Sequence, residues 1–207
     1  MKKRYNQTVS FDTELLILVD REDKVLGYKN KMKCHQGDGL LHRAFSIFIF
    51  NPGGQVLMHK RSQLKSLWPL FWSNSCCSHP RKGESYKIAT QRRLKEELGI
   101  TCELSFLYKF QYQARFREIG SENELCSVFI GKTEQPIIVN ENEIAEWKFF
   151  DISELDDQLS QNPDNFTPWF KMEWTQMRQD YWQEIEQILS DHYIPKKIKK
   201  DNSKKMG

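Results

Sequence analysis

Gly83-Glu84-Ser85-Tyr86-Lys87-Ile88-Ala89-Thr90-Gln91-Arg92-Arg93-Leu94-Lys95-Glu96-Glu97-Leu98-Gly99 reads as one helix. Ile88, Ala89, Leu94 and Leu98 recur near helical spacing, and Gly99 supplies the stop, which predicts a helix over 84–98. Arg93 and Glu97 stand four apart and share a face. Charge pattern alone would make this a solvated, salt-bridged helix. Just upstream lies Trp72-Ser73-Asn74-Ser75-Cys76-Cys77-Ser78-His79-Pro80. If that run is extended, Cys77 and His79 point to one side and Cys76 to the other. A thiol beside an imidazole can carry chemistry, although a strand with a core cysteine suits the window equally well.

Working outward, residues 14–19 and 25–28 read as strands joined by a polar turn. Ala44–Phe50 is an apolar strand closed by Asn51-Pro52-Gly53-Gly54, and 55–60 is the returning arm, with His59 expected on its exposed, polar side. Downstream, 103–116 and 124–131 read as strands around a loop at 117–123, and 147–150 as a further strand. A helix over 153–159 is expected with Ser153 as its N-cap, then a long amphipathic helix over 168–192. Hairpins outnumber repeated βαβ units, so the class is α/β of the α+β kind, a mixed sheet with helices against it. One domain is expected over 1–195, followed by a basic, disordered tail at 196–207.

The net charge of +3 is small and concentrated at the two ends, in Met1-Lys2-Lys3-Arg4 and in the lysines of 196–205. Those lysines lack interleaved aromatics, which argues against a nucleic-acid partner. The five cysteines, two of them adjacent, and the lack of a visible secretory signal point to a reducing, cytoplasmic location. The apolar run Leu15–Val19 is too short for a membrane span. A small-molecule substrate is the expected partner, on a monomer, with a dimer left open.

Glu84, seven intervening residues, Arg92 and the ending Glu96-Glu97-Leu98-Gly99 resemble a Nudix box, in which helix carboxylates hold a divalent cation against a diphosphate. Arg93 stands where hydrolases of that superfamily carry a glutamate, and Ser78 where the box begins with glycine. Losing a carboxylate weakens water activation by several Mg²⁺ ions, so hydrolysis of a nucleoside diphosphate derivative becomes the alternative reading. A metal-stabilised binding module using the basic tail is a further, non-enzymatic rival.

The remaining motifs resemble the type I isopentenyl-diphosphate isomerase family. They are His35, Leu41-His42-Arg43-Ala44-Phe45-Ser46, Trp68-Pro69, Trp72-Ser73-Asn74-Ser75, Cys77-Ser78-His79-Pro80, Gly83-Glu84-Ser85, Arg92-Arg93, Glu122-Asn123-Glu124 and Pro168-Trp169. The resemblance spans roughly 14–190 and implies a Nudix-like mixed β-sheet sandwiched by helices, with a long C-terminal helix. It implies one metal site from His35, His42, His79, Glu122 and Glu124, for Mn²⁺, Zn²⁺ or Mg²⁺, and Glu97 at a Mg²⁺ that accompanies the diphosphate. Lys31, Arg61, Lys65 and Arg93 match its phosphate-binding positions. Cys77 and Glu124 match its acid–base pair, with Tyr112 hydrogen-bonding nearby and Trp169 as an aromatic wall. The reaction implied is interconversion of isopentenyl and dimethylallyl diphosphate. Cys76 is read as structural, and Cys34, Cys102 and Cys126 as core or incidental.

Overall fold

The structure, a computed structural model, describes residues 4–190. The tail expected at 196–207 lies outside the described residues. The chain runs β1 (Arg4–Tyr5), β2 (Leu15–Val19), β3 (Val25–Asn30), α1 (Lys31–Cys34), β4 (His42–Phe50) and β5 (Val56–Arg61). It continues through β6 (Trp72–Ser73), β7 (Cys76–Ser78), α2 (Tyr86–Leu98), β8 (Leu104–Phe116) and β9 (Gly120–Lys132). β10 (Val139–Asn140), β11 (Ile144–Phe150), α3 (Ile152–Gln161), α4 (Pro168–Gln176), a π-helical turn (Met177–Tyr181) and α5 (Trp182–Leu189) complete it.

β4 organises the sheet. Its apolar run has no polar side because both faces are covered. Phe45, Ile47 and Ile49 pack with Ala89, Leu94 and Leu98 of α2. Ala44, Phe48 and Phe50 pack with Trp169, Phe170 and Trp174 of α4. Each such buried side chain contributes about 2 kcal/mol of hydrophobic stabilisation. Along one edge β4 pairs in parallel with β9, from His42↔Glu124 to Phe50↔Lys132. Along the other it meets β2, β7 and β5, all antiparallel. β8 joins β9 as a long antiparallel hairpin. The α+β mixed sheet between helices is therefore as expected, C-terminal helix included.

Local differences have physical causes. α2 is capped by Ser85, whose side chain accepts from the Ile88 N–H, and it ends at Gly99 with φ of 67°. The expected loop at 117–123 is shorter because pairing resumes at Phe116↔Gly120, which puts Glu122 on a strand. α3 begins at Ile152, with Asp151 rather than Ser153 at the cap position. The last helix carries a π turn at Met177–Tyr181 and is described to Leu189; His192 lies outside the described residues. His59 is buried, contrary to expectation: β5 is an inner strand paired with β6 and β11, and the imidazole Nδ1 meets the Ser75 carbonyl at 3.2 Å. Trp68 lies in the core with Phe71 and Trp72 packed against it, as read. Among the described residues no helix is long and apolar enough to cross a membrane.

Candidate active site

The β4–β9 register brings His42 directly opposite Glu124. β7 adds His79 just beyond its end, and β9 adds Glu122 two residues before Glu124, on the same face. His35 follows α1 and is held by its own carbonyl, which accepts from the Ser121 N–H at 2.9 Å. The outcome is one cluster: one ligand atom from each of His35, His42, His79, Glu122 and Glu124 lies within 4.8 Å of the others. His35 Nδ1 meets the Lys31 carbonyl at 2.7 Å and His42 Nδ1 meets that of Leu40 at 2.6 Å. Both rings therefore carry their proton on Nδ1 and turn Nε2 inward, the arrangement of metal-binding imidazoles. His42 Nε2 is buried with no hydrogen-bond partner among the described residues, an orphan that a cation would satisfy. Three imidazoles with two carboxylates suit a divalent ion, and the residues fit one.

Burial pushes His42 down to about 4 and His79 well below its ordinary value, so both are neutral at pH 7, whereas at His35 burial is outweighed by the Glu122 charge, which raises the imidazole. Burial works against Glu122 ionisation, but His35, 2.8 Å away, outweighs it and lowers the carboxyl to about 2. Burial and the Glu122 charge push Glu124 well up, while His79 Nε2 lies 2.7 Å from its Oε1.

The cluster opens into a cavity of about 460 Å³ lined also by Cys77, Tyr112 and Trp169. Cys77 and Glu124 thus share one chamber, from strands that flank β4 on its two edges. Cys77 projects to the α4 side and Cys76 to the α2 side, the alternation expected of an extended run. Burial raises the Cys77 thiol to about 12, the direction of an inert thiol rather than a free thiolate. The Tyr112 hydroxyl donates to Glu124 Oε2 at 2.6 Å. Trp169 is pinned by its Nε1–H to Ser73 Oγ at 3.1 Å and by an edge-to-face contact with Trp68 at 5.2 Å.

Lys31, Arg61, Lys65 and Arg93 all line the same cavity. Arg61 donates to the carbonyls of Leu67 (2.8 Å) and Trp68 (3.0 Å) and lies 5.2 Å over the Trp169 ring. Lys31 donates to Ser10 Oγ at 2.5 Å, and burial together with Lys65 lowers its ammonium to about 8. Lys65 pairs with Glu143. Arg93, 2% exposed, donates to the Val9 carbonyl, to Glu143 and to Glu97. Glu97 does not line the cavity, and neither does His42; the Glu97 carboxylate takes Arg93 and the Cys76 thiol instead. Ser10 and Glu143 were not legible as site residues, because nothing in their local sequence ties them to distant lysines. Gly120 was missed too: a Cβ there would lie 2.5 Å from the His35 carbonyl.

These features define a class, a Nudix fold carrying a His/Glu cation cluster beside a basic pocket. The Nudix domain family profile matches residues 40–170. A solved protein from Deinococcus radiodurans superposes with a TM-score of 0.60 at 23% identity, covering 72% of this chain and 90% of that one, which speaks to fold alone. A Photorhabdus laumondii protein named isopentenyl-diphosphate Delta-isomerase 1 is 42% identical over 83% of this chain and 99% of its own length. A Serratia proteamaculans isopentenyl-diphosphate Delta-isomerase is 43% identical over 76% and 87%. The chain belongs to the isopentenyl-diphosphate Delta-isomerase family within the Nudix superfamily.

Proposed function

We propose that this chain interconverts isopentenyl diphosphate and dimethylallyl diphosphate. The observation that carries the reading is the shared chamber of Cys77 and Glu124, one end cationic and the other walled by aromatics. An unactivated alkene must gain a proton at its terminal carbon and lose one from C2. The double bond's π electrons form the new C–H bond, leaving positive charge on the tertiary carbon. The electrons of the C2–H bond then close the new double bond. Two acid–base groups are needed, one holding a proton and one ready to take it, and Cys77 and Glu124 fill those roles. Tyr112 orients the Glu124 carboxyl through its 2.6 Å hydrogen bond. The Trp169 face stabilises the cation by about 2 kcal/mol in a dry site. Water must stay out, because it would trap the cation as an alcohol.

Lys31, Arg61, Lys65 and Arg93 hold the diphosphate, the ammoniums as point charges and Arg93 as a fixed positive charge, its N–H groups being given to Val9, Glu96, Glu97 and Glu143. His35, His42, His79, Glu122 and Glu124 hold a divalent ion, Mn²⁺, Zn²⁺ or Mg²⁺, which would lower the proton affinity of Glu124. Mg²⁺ accompanies the diphosphate; a role there for Glu97 requires it to release Arg93, its present partner. The location is cytoplasmic and the substrate a small diphosphate. Incubation with isopentenyl diphosphate and Mg²⁺ tests the reading: allylic product without phosphate release is expected, and phosphate release would instead indicate the hydrolase.

A further inference from the structure

Between β1 and β2 the chain has no regular structure over 6–11, yet it is fastened on both sides of Ser10. Buried Asn140 of β10 exchanges two hydrogen bonds with the Gln7 backbone, accepting from its N–H at 3.1 Å and donating to its carbonyl at 2.8 Å. Arg81 and Arg93 both donate to the Val9 carbonyl, at 2.9 Å and 3.0 Å. Downstream, the Phe11 N–H donates to Glu14 Oε1 at 3.0 Å, and the Asp12 carbonyl accepts from the Met32 N–H at 3.2 Å. Val9 is buried, whereas Thr8, Ser10 and Asp12 line the cavity alongside Lys31, Lys65 and Arg93. Ser10 is thereby held at the cationic end of the chamber.

Lys31 Nζ donates to Ser10 Oγ at 2.5 Å. An ammonium has three protons to give and no lone pair, so this contact uses Ser10 as an acceptor and leaves the hydroxyl its own proton. Among the described residues no protein group takes that proton. The guanidiniums of the pocket, by contrast, are largely committed: Arg93 to Val9, Glu96, Glu97 and Glu143, and Arg61 to the Leu67 and Trp68 carbonyls. A diphosphate entering this end brings only acceptor oxygens and needs donors that are still free. We propose that Ser10 is a further substrate-binding residue: it donates its hydroxyl proton to a diphosphate oxygen while accepting from Lys31. The inference deepens the isomerase reading, from which it takes the diphosphate. That group has the same charge before and after the double bond moves, so the contact is equally strong throughout the reaction. It therefore acts on KM and not on kcat.

The test is calorimetry with inorganic diphosphate, together with steady-state turnover of isopentenyl diphosphate, on wild type, Ser10→Ala, Ser10→Thr, Lys31→Met and the Ser10→Ala/Lys31→Met double variant. Ser10→Ala should raise both the Kd for diphosphate and the KM about 10-fold, as loss of a hydrogen bond to a charged group does, with kcat within about 2-fold. Ser10→Thr, which keeps the hydroxyl, should recover most of the loss. A residue that served only to hold Lys31 would cost nothing further once Lys31 is gone, whereas a direct donor still counts. The double variant should therefore bind diphosphate at least about 3-fold more weakly than Lys31→Met alone. Wild-type Kd in Ser10→Ala, a Thr variant as weak as the Ala one, or a double variant equal to Lys31→Met would overturn the direct contact. A wild-type chain that binds diphosphate but yields no allylic product would remove the isomerase reading and leave the Ser10 contact to be judged by calorimetry alone.

Discussion

At residue scale, the groups that react are distinct from the groups that hold. Cys77→Ala should cut turnover roughly 1,000-fold, in the range of a lost general acid or base. Diphosphate binding should survive, because Lys31, Arg61, Lys65 and Arg93 stay in place; calorimetry with inorganic diphosphate checks that. Undiminished turnover would take the thiol out of the mechanism. Glu143 makes a separate, structural prediction. Burial opposes its ionisation, but Lys65 and Arg93 outweigh that and lower its carboxyl to about 2, below the ordinary 4.5. A depressed acid stabilises the fold above its unfolded value and loses that contribution as pH falls from about 4.5 toward about 2. Denaturant unfolding at pH 6, 4 and 3 should therefore show a shallower acid loss in Glu143→Gln than in wild type. Equal slopes would contradict the pairing.

At the scale of elements, close approach matters more than propensity. Gly120 admits the His35 carbonyl, and an added Cβ would sit 2.5 Å from it, forcing His35 and Glu122 apart. Gly120→Ala should weaken binding of a divalent ion roughly 10-fold, as loss of a supporting contact around ligands does. Metal analysis after dialysis reads it, and full occupancy would show that the cluster tolerates the shift. The sequence made much of this scale legible. Helical spacing before Gly99 and period-2 alternation at Cys76–Cys77 both correspond to what the packing does. His59 misled because alternation in β5 implies an open face, whereas Val56, Leu57, Met58 and His59 are all buried and the imidazole is turned to the Ser75 carbonyl. Glu97 misled for a different reason: the buried pair it forms with Arg93 is a through-space choice among several carboxylates, which spacing does not decide.

Across the whole molecule, β4 lies between two cores and carries the register that assembles the site. The cation cluster draws on segments far apart in sequence, so only the fold makes them neighbours; the family motifs, not local pattern, made them legible. A chain ending at residue 195 should keep wild-type turnover, and a lost activity would assign the tail a role in the reaction.

The central claim is that Cys77 and Glu124 exchange protons with the two ends of one allylic unit. In deuterium oxide with Mg²⁺, NMR of the product should show solvent deuterium entering the new methyl group of dimethylallyl diphosphate with wild type. Cys77→Ala and Glu124→Gln should each show none over the same interval. Deuterium entering at the wild-type rate in either variant would contradict the account.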